Sequence, residues 1–330
     1  MPDTIDRSPS HPSRVAVVGV GNVGASFAYA LVLSGLASEL VLIDRDTRRA
    51  EGEAMDLAHA VPFTKPIRVW AGDYADCAGA AVTVITAGVA QRPGESRRDL
   101  VSRNAAIMGA IVPQVAEANP DGIILVTTNP VDVLSYQSWK ASGLPPSRVI
   151  GSGTILDTAR FRSLLSEHFG VDPRSVHAFI AGEHGDSEVP IWSSANIAGM
   201  RLAEFCTANG LTYDSAEMDA IFARTRDAAY EIIARKGATY YAVGAGLLRI
   251  VEAIIRDQRT VLSVSSLVDD FYGISDVYLS LPCVVTRDGV ERQLRLDLSP
   301  SEAAGLRRSA EVLRTMIDEL AADAGADARA

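Results

Sequence analysis

The sequence is poor in cysteine: Cys77, Cys206 and Cys283 are the only three in 330 residues, and no two form a Cys-x-x-Cys pair. An odd number of widely separated thiols excludes a disulfide framework and a cysteine-built zinc site, so no metal is expected and the thiols should be reduced and buried. Long apolar runs are also missing, so no helix is expected to cross a membrane. The opening stretch, MPDTIDRSPSHPSRV, has no apolar centre of signal-peptide type, and a cytoplasmic location is expected. Positive charge is in deficit, with 31 Lys and Arg against 41 Asp and Glu. A net charge of -10 excludes the electrostatic footprint of a general nucleic-acid binder, although a local basic pocket for a small anion is still allowed. Internal repeats and low-complexity blocks are absent.

Apolar residues make up 48% of the chain and charged residues 22%, which is enough apolar surface to exclude extensive disorder. The length exceeds that of one small core and suggests two domains. In the first half, apolar runs at Val15–Val18, Leu40–Ile43, Ile67–Trp70, Val82–Thr86, Ile123–Thr127 and Val149–Ile150 alternate with helical stretches. Unbroken apolar runs separated by helices imply a doubly wound parallel sheet covered on both faces, with ligands at the carboxyl ends of the strands. After about Gly151 the pattern changes to long helices near 154–169, 214–236 and 242–257. A hairpin signal follows, Leu281–Thr286 and Val290–Leu298 around Asp288-Gly289. Ser299, Pro300 and Glu302 then read as the start of a capped helix. The expected organisation is a tail at 1–13, a dinucleotide-binding domain at 14–150, an α+β substrate domain with antiparallel strands at 151–320, and a second tail at 321–330.

Gly19-Val20-Gly21-Asn22-Val23-Gly24 follows the first strand and opens a helix. Gly19 permits a tight turn, Gly21 lets a pyrophosphate approach the backbone, and Gly24 lets helix and strand pack closely. Asp44 ends the second strand, twenty residues after Gly24. A carboxylate there accepts hydrogen bonds from ribose hydroxyls and repels a 2′-phosphate, which favours NAD over NADP. The first domain is therefore expected to be Rossmann-type.

Chemistry beside a dinucleotide needs a proton carrier. Of the five histidines, His184 lies between glycines in Gly182-Glu183-His184-Gly185-Asp186-Ser187, which leaves its imidazole uncrowded. Asp157 and Arg160 sit three apart on a helix, as either a surface ion pair or an imidazole-orienting carboxylate next to an anion-receiving guanidinium. The glycine-rich, charged stretch from Ala87 to Asp99 follows a strand end, as a solvated loop or a hinged lid.

Together these residues resemble the bacterial-type L-lactate dehydrogenases of the lactate/malate dehydrogenase superfamily. The likeness runs from about Val15 to Leu320 and rests on GVGNVG, AGVAQRPGESRRDL, TTNPVD, LDTARFR, GEHGDSEVPIWS and KGATYYAVG in that order. The resemblance implies NADH-dependent reduction of pyruvate to L-lactate in fermentation, by a homotetramer. It gives His184 the role of proton carrier, oriented by Asp157, with Arg160 on the substrate carboxylate and Arg97 of the lid polarising the carbonyl. It places Gln91, Asn129 and Thr239 in the substrate pocket. Neutral Gln91, where malate-specific relatives typically carry arginine, disfavours a second carboxylate. Val23, Arg49, Tyr74, Gly88, Val89, Thr127, Asn129 and Ser152 join Gly19, Gly21, Gly24 and Asp44 as cofactor-binding positions. Arg162 and His177 match a pair that in many bacterial relatives binds fructose 1,6-bisphosphate between subunits. A dinucleotide-sensing module without catalysis predicts loss of His184, Asp157, Arg160 or Arg97, and all four are present.

Overall fold

The computed structural model describes residues 13–90 and 97–327, without the side chains of Arg97 and of residues 324–327. Residues 1–12 of the expected tail and Gln91 of the expected lid lie outside the described residues, as does the Arg97 side chain.

Six parallel strands form where the apolar runs predict them, with ends shifted by a residue or two: β1 (Arg14–Val18), β2 (Glu39–Ile43), β3 (Arg68–Ala71), β4 (Ala80–Ile85), β5 (Ile123–Val126) and β6 (Val149–Gly151). Four helices connect them: α1 (Asn22–Ser34), α2 (Thr47–Ala60), α3 (Arg97–Ala118) and α4 (Val131–Ser142). Val15 and Val17 of β1 enter one apolar core, and Ala16 and Val18 enter another. No member of this quartet is more than 2% exposed, which is why the strand reads as an unbroken apolar run.

Helix α5 (Ile155–Phe169) opens the second half. Five two-residue strands follow: β7 (Val176–His177), β8 (Ile180–Ala181), β9 (Val189–Pro190), β10 (Asn196–Ile197) and β11 (Met200–Arg201). Strands β8 and β9 pair antiparallel, Ile180 with Pro190 and Ala181 with Val189, and so clamp both ends of the His184 loop. Phe161 of α5 is fully buried, edge-on to Trp192 at 4.8 Å. Its burial contributes roughly 2–3 kcal/mol and anchors the helix that carries Asp157 and Arg160. Helices α6 (Leu202–Ala208) and α7 (Ser215–Lys236) share a core with α5, and α8 (Tyr241–Ile255) shares one with α1 and the parallel strands.

The second half does not build a separate large sheet. Strands β12 (Thr260–Val268), β13 (Val277–Thr286) and β14 (Gly289–Gln293) are antiparallel and extend the first sheet. Strand β12 joins it by pairing Ser265 with Gly151 of β6. The order among the described residues is β14-β13-β12-β6-β5-β4-β1-β2-β3. The hairpin turns where Asp288-Gly289 predicts, but its second strand ends at Gln293 rather than Leu298.

The last helix, α9 (Pro300–Asp327), starts with the predicted capping box. Glu302 N–H donates to Ser299 Oγ at 3.3 Å, and Ser299 N–H donates to Glu302 Oε2 at 2.7 Å. Leu306 and Leu313 are almost wholly buried on its inner face. The helix continues past Ala321, where a tail was expected, and Asp323 forms an ion pair with Arg98 of α3.

Candidate active site

The cofactor side of the cleft is shaped by backbone. Gly19 has φ +97°, and a Cβ there would come within 2.5 Å of the Ala87 nitrogen. A Cβ on Gly24 would overlap the Gly19 carbonyl oxygen, whereas one on Gly21 meets nothing within 4 Å. Gly19 and Gly24 thus serve packing, and Gly21 faces open space where a ligand can approach. Helix α1 has Gly21 at its N-cap with no capping side chain and no acid in its first turn. Its unpaired N–H groups and positive dipole end suit a pyrophosphate.

Asp44 is fixed at the end of β2. Its Oδ2 accepts from Val20 N–H at 2.8 Å and its Oδ1 from Asp46 N–H at 3.0 Å. Burial, with Cys77 and the Asp44 carboxylate nearby, raises the Tyr74 phenol above its ordinary pKa. Arg49 is exposed in the first turn of α2, and its own N–H donates to Asp46. Gly88 lies so close to Thr128 that a Cβ would overlap its methyl group. The neighbouring Val89 N–H donates to Asn104 Oδ1 at 2.9 Å, and Asn104 Nδ2 donates to the Asn129 carbonyl at 2.9 Å. Asn104 is 2% exposed and ties the segment after β4, at Val89, to Asn129. The sequence reading overlooked it. The available signal was a lone amide among the buried Val101, Ala105 and Met108 of α3.

The fingerprint and His184 regions meet in one cavity of about 170 Å³. Val23, Thr127, Asn129, Ser152, Arg160, His184 and Thr239 all line it. Thr127 Oγ1 is buried with no hydrogen-bond partner among the described residues, a polar atom left for a ligand. The residues present therefore fit a dinucleotide.

His184 Nδ1 and Asp157 Oδ2 lie 2.5 Å apart, and Arg160 donates from a terminal guanidinium nitrogen to Asp157 Oδ1 at 2.8 Å. One carboxylate thus holds the imidazole with one oxygen and the guanidinium with the other. Asp157 is 3% exposed. Burial disfavours its charge, but His184 and Arg160 hold its carboxyl below the usual range. For His184, burial works against the imidazolium. The Asp157 carboxylate, by charge and hydrogen bond, outweighs it and raises the pKa to about 9. A second acid, Asp132, sits behind the loop and accepts from His184 N–H at 2.8 Å and from Ser280 Oγ at 3.3 Å. Burial pushes Asp132 up to about 6. It was legible only as the last residue of TTNPVD, without a role.

Arg162 and His177 lie away from this cavity. Arg162 Nε donates to the Ala178 carbonyl at 2.8 Å, and its guanidinium stacks 5.0 Å from the Phe179 ring centroid. His177 is exposed on β7, next to Ala178. All three cysteines are free and buried. Among the described residues no three His, Cys, Asp or Glu side chains converge on a metal-sized site, and no helix is long and apolar enough to cross a membrane.

A cavity that joins a dinucleotide-type glycine fingerprint to a buried carboxylate–imidazole pair suits a nicotinamide-dependent dehydrogenase, which moves a hydride and a proton. Residues 13–151 match the NAD-binding domain of lactate/malate dehydrogenases, and residues 154–324 match the α/β C-terminal domain. The chain belongs to the lactate/malate dehydrogenase family, and its cofactor is NAD. Over 305 residues it is 52% identical to the L-lactate dehydrogenase of Priestia megaterium, covering 92% of this chain and 96% of that one. It is 49% identical over 310 residues to the L-lactate dehydrogenase of Moorella thermoacetica, covering 94% and 98%. Among solved structures, a lactate dehydrogenase from a deep-sea metagenome, MGS-M5, superposes with a TM-score of 0.91 at 47% identity, covering 94% and 99%. The minor L-lactate dehydrogenase of Enterococcus mundtii gives 0.90 at 42%, covering 93% and 98%.

Proposed function

We propose that pyruvate and L-lactate are the substrate pair of this NAD-dependent L-lactate dehydrogenase, with His184 as proton carrier, Asp157 as its orienting carboxylate and Arg160 as the carboxylate receptor. The observation that supports this most is the chain Arg160–Asp157–His184 opening into the cavity that also holds Thr127, Asn129 and Ser152. NADH supplies the hydride when bound. The chain's own residues handle charge and protons. In the reductive direction protonated His184 stabilises the negative charge growing on the carbonyl oxygen and then donates its proton there. Arg97 shares that stabilisation from the lid, and Arg160 fixes the substrate by its carboxylate. In the oxidative direction neutral His184 takes the hydroxyl proton. Because Asp157 raises the His184 pKa to about 9, the reductive form predominates at neutral pH.

Gln91 offers no charge to a second substrate carboxylate, which favours pyruvate over oxaloacetate. Arg162, which donates to the Ala178 carbonyl, and His177, the residue before Ala178, are the proposed receptors for the phosphates of fructose 1,6-bisphosphate, shared between subunits of a homotetramer in the cytoplasm. One assay tests the whole reading: NADH oxidation with pyruvate, oxaloacetate and 2-oxobutyrate, each with and without the sugar bisphosphate. Pyruvate should be the preferred substrate, its KM should fall with the bisphosphate, and Gln91→Arg should shift kcat/KM toward oxaloacetate. Oxaloacetate preference in the wild type would overturn the substrate assignment. An unchanged KM and unchanged oligomer mass would overturn the activator.

A further inference from the structure

The His184 loop ends in a second carboxyl group that the chemistry above does not use. Glu188 is 7% exposed, at the point where the loop enters β9. Its N–H donates to the Gly185 carbonyl at 3.1 Å, which folds the loop back on itself. Glu188 Oε1 is buried and has no hydrogen-bond partner among the described residues. The charged groups that act on it most are Asp157 and Arg160 of α5, His184 of its own loop, and Arg226 of α7. Arg226 is itself paired with Asp227 at 3.1 Å.

Such a group is expensive to ionise. Burial comes first and the Asp157 carboxylate second, and both oppose the charge. Arg160 is the only guanidinium of α5 facing Glu188 and is already engaged by Asp157. A second anion on that guanidinium would compete with an incoming one.

We propose that Glu188 is a positioning residue that must carry a proton when Arg160 receives an anionic substrate, so that binding of a 2-oxo acid is linked to protons on both Glu188 and His184. The inference rests on the substrate reading above. Below neutrality both groups hold their protons and binding is insensitive to pH. As pH rises, Glu188 ionises first, near 8, and His184 follows, near 9. Each ionisation must be reversed for the anion to bind, so affinity falls with pH by up to about two protons per substrate. Glu188 exchanges no atom with the substrate. It acts through the charge that Arg160 presents.

The test uses the enzyme–NADH complex with oxamate, the amide isostere of pyruvate. Its Kd is followed by NADH fluorescence from pH 6 to 10, and proton uptake on binding is measured near pH 9.5. The wild type should take up more than about one proton there, and Glu188→Gln no more than about one. Glu188→Asp should restore the second proton, which a purely structural role would not. Equal uptake in wild type and Glu188→Gln would overturn the proposal. His184→Asn separates it from the underlying reading. If that variant abolishes all pH dependence, Glu188 carries no proton and the inference fails. If it leaves the full dependence intact, His184 is not the proton carrier and the substrate reading fails.

Discussion

The fingerprint loop and the histidine loop border the same cavity, yet they hold their shapes by different means. At residues 19–24 the geometry lives in the backbone: a left-handed Gly19, a close approach at Gly24 and an open face at Gly21. No side chain there carries charge. At His184 the geometry lives in buried charge, with Asp157 bridging an imidazole and a guanidinium and Asp132 holding the loop from behind. A dinucleotide phosphate needs an array of N–H donors, which steric rules on glycine can place. A proton carrier needs a tuned pKa, which requires desolvated charges at short range. The first site depends on the absence of a Cβ at Gly19 and Gly24 rather than on charged side chains. The second should behave the opposite way.

Substitutions on each side sharpen that contrast. The largest effect is expected from His184→Asn, which removes the proposed proton carrier while keeping a polar side chain. Turnover of pyruvate should drop about 10²–10⁴-fold with NADH affinity nearly unchanged, as steady-state kinetics and NADH fluorescence titration can check. Gly19→Ala comes next, because its new Cβ meets the Ala87 backbone at φ +97°. It should cost at least about 2 kcal/mol of stability by denaturant unfolding. Gly21→Ala has room within the protein and should change stability by less than about 0.5 kcal/mol, while weakening NADH binding. Equal stability losses in the two variants would contradict the division of labour between these glycines. Smallest in its effect on activity is Ser299→Ala, remote from the cleft. Loss of its contact with Glu302 N–H should cost about 1 kcal/mol and leave kcat untouched.

The same contrast explains what could be read from the sequence. Strands β1, β2 and β4 to β6 are legible because nearly every residue in them is buried and most are apolar, whereas the edge strand β3 has no fully buried residue and shows only as a short run around Val69 and Trp70. The fingerprint is legible because its residues are contiguous. Strand β12 was not seen, since Ser263, Ser265 and Ser266 interrupt its apolar run although all three are buried. Its junction with β6 is a long-range pairing of Ser265 with Gly151 that no local pattern encodes. The triad of His184, Asp157 and Arg160 was identified by resemblance; local spacing alone left Asp157 and Arg160 open between an ion pair and a site. Asn104 and Asp132 went unassigned because their partners, the Val89 and His184 N–H groups, are backbone atoms distant in sequence. The C-terminal helix outran its expected end because small residues after Ala321 read as a fraying tail, although Asp323 is paired with Arg98.

The central claim is that Asp157 keeps His184 protonated through neutral pH, against the cost of burial. The most direct measurement is the pH dependence of kcat/KM for pyruvate with NADH, compared between wild type and Asp157→Asn. Raised to about 9, the His184 pKa keeps the competent imidazolium populated below that pH, so the wild-type rate should hold at neutrality and fall as pH rises toward 9 and beyond. Without the carboxylate the main influence opposing burial is lost and only the weaker pull of Asp132 and Glu188 remains, so the fall should move down toward the ordinary histidine value of about 6.5. A midpoint that stays where it was in Asp157→Asn would contradict the account.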